Sequence, residues 1–128
     1  MRDESTVVRL AIPAAPEFLR LARLAAADVA SRAGFSFEDI EDLRIGVDEL
    51  CHLLMAPGTE DEHLRLTFTL QPHTVTVEGE GPARNSGDPV VEQSELSQTI
   101  VTAVVDEHEV SRDGASLRFR LKKHAPTR

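Results

Sequence analysis

The sequence predicts an α+β two-layer sandwich, a mostly antiparallel sheet with about three helices packed on one face, in the order β-α-α-β-β-α-β-β. Two patterns carry that expectation. Stretches such as "LRLTFTL" alternate apolar and polar residues and come in pairs joined by turn residues, as antiparallel strands do. Other stretches repeat apolar residues at intervals of three and four, the period of a helix with one buried face. At 128 residues, with no internal repeat and no boundary, a single domain is expected over 1–128.

Thr6 to Ala11, "TVVRLA", is rich in β-branched residues and reads as the first strand. In the next segment Pro16 suits a first helical turn and Gly34 suits the stop after a last one. Phe18, Leu21, Ala25 and Val29 are expected to form the buried stripe of that helix, with Arg20 and Arg23 away from it. Ser36 then opens a second helix as its N-cap, with Asp39 at the N3 position; Glu38 and Asp39 favour the positive helix end. Ile40, Leu43, Val47, Leu50 and Leu54 recur at three and four and face the core, and Pro57 and Gly58 end the helix.

Leu64, Leu66, Phe68 and Leu70 share the inner face of the next strand, and "QPH" turns the chain into "TVTVEG" to complete a hairpin. From Gly79, "GEGPARNSGDP" is turn chemistry, so a mobile loop is expected over about 79–93. Ser94 caps a third helix reaching about Val105, with Leu96, Ile100 and Val104 inward. "DEHEVSRDGASLRFRLKK" then forms two strands around Arg112-Asp113-Gly114, Leu117, Phe119 and Leu121 alternating with Arg118 and Arg120.

Composition narrows the function. Five Phe with no Trp or Tyr leave a core of Leu, Val, Ile and Ala. Twenty-two acidic against fourteen basic residues give a net charge of −8, the wrong sign for a nucleic-acid surface; it suits a partner with a basic face, and equally it simply serves solubility. The one cysteine, Cys51, permits no internal disulfide, and "MRDESTVVRL" has no apolar run of signal-peptide length. With no apolar run long enough for a membrane span, a cytoplasmic protein is expected. The five histidines lack paired metal spacing and there is no C-x-x-C, so no metal site is expected. Cys51 and His52 are helical neighbours about 100° apart and make no thiolate–imidazole pair; Ser94, Ser97 and Thr99 have no base beside them.

Four stretches carry a resemblance: "LAIPAAPEFLRLAR", "GFSFEDIEDLRIGVDEL", "VTVEGEGP" and "VVDEHEVSRDGASLRFRLKK". In this order they resemble the anti-sigma-factor serine kinases, a branch of the histidine-kinase-like (GHKL, Bergerat-type) ATPases, over roughly Val7 to Lys123. The resemblance places Glu49 on the family's general base toward a substrate serine. The asparagine that ligates Mg²⁺ in the family falls on Leu53, which has no oxygen to offer a hard cation. The aspartate that recognises adenine falls on Val77, ahead of the glycine-box residues Gly79 and Gly81. Glu78 is adjacent but points to the other face of its strand. Where the family has a second glycine cluster, this chain reads "VVEQSELSQT".

Phosphoryl transfer depends on metal-assisted charge neutralisation. The resemblance with these losses therefore implies an anti-sigma-like regulator that binds an alternative RNA polymerase sigma factor, or its STAS-domain anti-anti-sigma antagonist. Weak or lost ATP binding is expected, and no cofactor. The alternatives are an active ATP-dependent serine kinase, using Mg-ATP with Glu49, Gly79 and Gly81 and with Asp42 or Glu78 substituting elsewhere, and a non-sigma adaptor on the same fold. Dimerisation through the first strand is a further expectation, since family members often dimerise.

Overall fold

The computed structural model describes residues 5–55, 61–82 and 94–126. The elements are β1 (Thr6–Pro13), α1 (Leu19–Arg32, entered through a 3-10 turn at Pro16–Phe18), α2 (Phe37–Leu53), β2 (His63–Gln71), β3 (Thr74–Pro82), α3 (Glu95–Val104), β4 (Glu107–Asp113) and β5 (Ser116–His124). All neighbouring strands run antiparallel in the order β1-β2-β3-β5-β4, and the three helices lie on one face. This is the order and architecture expected from the sequence.

Register follows from alternation. Phe68 stands between Val8 and Val77, and Val77 in turn faces Leu121. Phe68, Val77 and Leu121 of this row, with Leu64 and Leu66 further along β2, bury their side chains beneath the helices, while Val8 at the sheet edge stays partly exposed. The opposite face carries charge: Arg9, Thr67, Glu78, Arg120 and Glu109 form one row across the five strands, and Ala11, Arg65, Glu80, Arg118 and Ser111 the next. Arg118 pairs with Glu80 at 3.5 Å and Asp113 at 3.2 Å. Such ladders fix register and keep an open sheet face wet.

Helix punctuation is realised locally. Ser36 Oγ accepts the Asp39 amide at 3.2 Å, and Ser94 Oγ accepts the Ser97 amide at 3.0 Å. Gly34 has φ +89 and closes α1 with paired bonds, Gly34 N to Ser31 O and Phe35 N to Ala30 O, each 3.1 Å.

Four expectations need correction. The buried face of α1 is Leu19, Ala22, Ala26, Val29 and Ala30, while Leu21 is 46 % exposed. A face of alanines has little hydrophobic signal, yet it lets the helix approach its neighbours closely. On α3 only Val101 is fully buried and Leu96 is 70 % exposed, because the helix docks by its C-terminal half. Gly79 to Pro82 are not loop: they extend β3 against Phe119, Leu117 and Ser116, and residues 83–93 lie outside the described ones. The β4–β5 turn is Gly114-Ala115, closed by the pair Asp113–Ser116, with Gly114 at φ +61.

Candidate functional site on helix α2

Helix α2 presents two rows. Leu43, Val47, Leu50 and Leu54 are fully buried over the sheet, with Ile40 half-buried at the start of the row. A second row, Asp39, Asp42, Gly46, Glu49 and Leu53, recurs at three and four and so lies on one side of the helix. That side faces the end of α3: a Cβ on Gly46 would come 2.9 Å from Val105 Cγ1 and 3.7 Å from Val104 Cγ2. Glu49 is half-buried and, among the described residues, has no ion pair and no side-chain hydrogen bond. Leu53 is half-buried and packs against the core. Ile45 and His52, about one turn either side of Glu49, are both exposed.

The fold brings the glycine box to the end of this helix. Leu54 is fully buried, and a Cβ on Gly81 would lie 3.3 Å from Leu54 Cβ and 2.6 Å from Leu64 Cδ2. A Cβ on Gly79 would fall on the Phe119 ring. Both glycines therefore admit the protein's own side chains. Val77 is completely buried, and Glu78 stands on the open face.

Around Glu49 the polar contacts belong to its neighbours. Asp48 accepts from Arg23 at 2.7 Å in a partly exposed pair that ties α2 to α1, and His52 Nδ1 lies 3.2 Å from the Asp48 carbonyl. Cys51 is inside the core while His52 is exposed, so the two do not form a pair. Burial, and secondarily the Asp48 carboxylate, pushes the Cys51 thiol up to about 12, leaving it an unreactive packing residue.

The two positions that the resemblance assigns to metal and adenine carry aliphatic side chains here. Leu53 has no oxygen for a cation, and the Val77 position has neither a hydrogen-bond acceptor nor exposure. Among the described residues no three His, Cys, Asp or Glu side chains gather as a metal site. A concavity of about 740 Å³ does exist, lined by Arg9, Arg65, Glu78, Glu80, Arg118 and Arg120 among others. It is the trough of the open sheet face, on the far side of the sheet from Glu49 and Leu53, and we read it as the hollow of a twisted charged sheet. Two features escaped the sequence reading: the Arg23–Asp48 tie, whose partners are far apart in sequence, and the buried Lys123, which alternation alone assigns to the helix side of β5.

The chain matches the model of the histidine kinase-like ATPase domain over residues 12–121, and it belongs to that family. Among curated proteins it is similar to the serine-protein kinase RsbW of Bacillus pumilus, 43% identical over 73 residues that make up 53% of this chain and 45% of that one. It is also similar to the RsbW of Listeria monocytogenes, 55% identical over 49 residues, 38% of this chain and 29% of the relative. The chain thus spans less than half the length of these relatives. A crystal structure of the RsbU and RsbW domains of Rv1364c from Mycobacterium tuberculosis superimposes with a TM-score of 0.72 at 12% identity, covering 93% of this chain and 32% of that one. At that identity the likeness speaks for the fold. No helix among the described residues is long and apolar enough to cross a membrane.

Proposed function

We propose that this protein is an anti-sigma-type regulator that acts by binding an alternative sigma factor or its STAS-domain antagonist, and that it has lost the use of ATP. The observation that carries the reading is Val77, completely buried between Phe68 and Leu121 at the position to which the resemblance assigns the adenine-recognising aspartate. Leu53 supports it, since a packed aliphatic side chain replaces a metal ligand one turn after Glu49. Stoichiometric masking of a partner needs no chemistry. The net charge of −8, with the Glu38 and Glu49 carboxylates of α2 making no ion pair among the described residues, suits a basic partner surface. Affinity capture of the tagged protein from its native cell, with and without added ATP, tests this: a sigma factor or STAS protein is expected in both captures. Capture of neither, or capture only with ATP, contradicts it.

Family relatives support a serine-kinase alternative through one observation, the retained Glu49 with no partner among the described residues. Phosphate transfer to the captured STAS protein would select that reading. A second copy of the chain is the reading for the β1 edge. Val7 is 45 % and Val8 38 % exposed on this edge strand, and Leu21 and Leu24 of α1 are also exposed. Sedimentation should find a dimer that Val8→Lys splits; a monomeric parent chain at high concentration contradicts it.

A further inference from the structure

On β5 the side chains that face the helices are Leu117, Phe119, Leu121 and then Lys123, which is 8 % exposed. A lysine inside a core is costly unless acceptors surround its ammonium. Here they do. Lys123 Nζ donates to the carbonyl of Val104, the last residue of α3, at 2.9 Å. The Asp39 and Asp42 carboxylates of α2 lie 3.8 and 3.9 Å away. The cation thus sits at the negative end of α3 and beside the acidic first turns of α2.

The same end of α3 is held by everything else in reach. Val101 and Val105 are buried, and the absence of a side chain at Gly46 makes room for Val105. Asp106 N donates to Lys122 O at 3.0 Å, and His124 N donates to Asp106 Oδ2 at 2.6 Å. The other end is different: Glu95, Leu96, Gln98 and Thr99 are exposed, and Ile100 is half-buried. Among the described residues the helix is fastened through Val101, Val104 and Val105, while Thr102 and Ala103 face solvent and its first turns are largely exposed.

We propose that Lys123 is a positioning residue that clasps the C-terminal end of α3 to α2, leaving the N-terminal half of α3 to open without the sheet unfolding. Asp39 and Asp42, the clasp's carboxylates, belong to the same row of α2 as Glu49 and Leu53. The clasp therefore sets how closely α3 lies against the candidate site, whichever ligand or partner that site receives. The inference is independent of the function proposed above, and its test uses neither ATP nor a partner.

Amide hydrogen exchange on the full chain, read residue by residue by NMR, tests it. In the parent protein the amides of Thr102 to Val105 should exchange at least about tenfold more slowly than those of Thr99 and Ile100. Lys123→Met should abolish most of that difference while Leu66, Phe68 and Val77 keep their protection; Lys123→Arg, which keeps the charge, should restore part of it. If Lys123→Met does not fold, Asp39→Asn with Asp42→Asn leaves the bond to Val104 O in place and should accelerate the same amides more mildly. No gradient along α3 in the parent, or equal acceleration of α3 and sheet amides in the variants, overturns the proposal.

Discussion

Val77 is the residue on which the proposed loss of nucleotide recognition turns, and its environment makes a Val77→Asp substitution informative. Val77→Asp puts an ionised carboxylate among Phe68, Leu121 and the helix layer, with no partner for it. It should destabilise the protein by roughly 3 kcal/mol or more in urea denaturation and gain no ATP binding. Gly79→Ala forces a methyl onto the Phe119 ring and should cost about 1–3 kcal/mol by the same measurement. Cys51 gives a pH prediction. Its folded pKa, about 12, lies above the ordinary thiol value of 9.0, so its contribution to stability is full below pH 9 and is lost as pH rises from 9 toward 12. Denaturation midpoints followed over that range should fall, and fall less in a Cys51→Ala variant. At this scale the readings of Leu53 and Val77 come from the resemblance alone, since leucine and valine cannot do the chemistry of the asparagine and aspartate it assigns to them. Lys123 was legible only in part: alternation puts it on the helix side of β5, but its burial depends on α3 and α2 arriving from elsewhere in the chain.

Elements with strong local signals were the ones that could be read directly. Ser36 and Ser94 cap α2 and α3 as their positions imply, and Leu43, Val47, Leu50 and Leu54 are buried as their spacing requires. Ser36→Ala should therefore cost about 1 kcal/mol, read as a lowered thermal midpoint, with β-sheet signals unchanged at low temperature. The misreadings have the opposite character. In α1 the leucines Leu21 and Leu24 outweigh the alanines in any hydrophobic count, but close packing over the sheet prefers the alanines. In β3 the glycines that resemble a loop in sequence are strand residues because Phe119, Leu64 and Leu54 need the space above them. Local composition cannot contain that information, because the neighbours come from β5, β2 and the end of α2.

For the whole molecule, fold and family were legible because their signals are spread along the chain: alternation, caps and turns in a fixed order, and a family match over residues 12–121. The proposed function rests on far fewer residues, the ones in which the chain departs from its resemblance. A protein of charge −8 that works by binding a basic partner should associate more slowly as salt is raised, with a smaller change in dissociation, which surface-based kinetics with the captured partner can follow. The central claim, that the ATP site has been closed and the protein retained for binding, is tested most directly by isothermal titration of the full chain with Mg-ATP. The account predicts no saturable heat into the millimolar range, whereas saturable binding at micromolar concentration would contradict it.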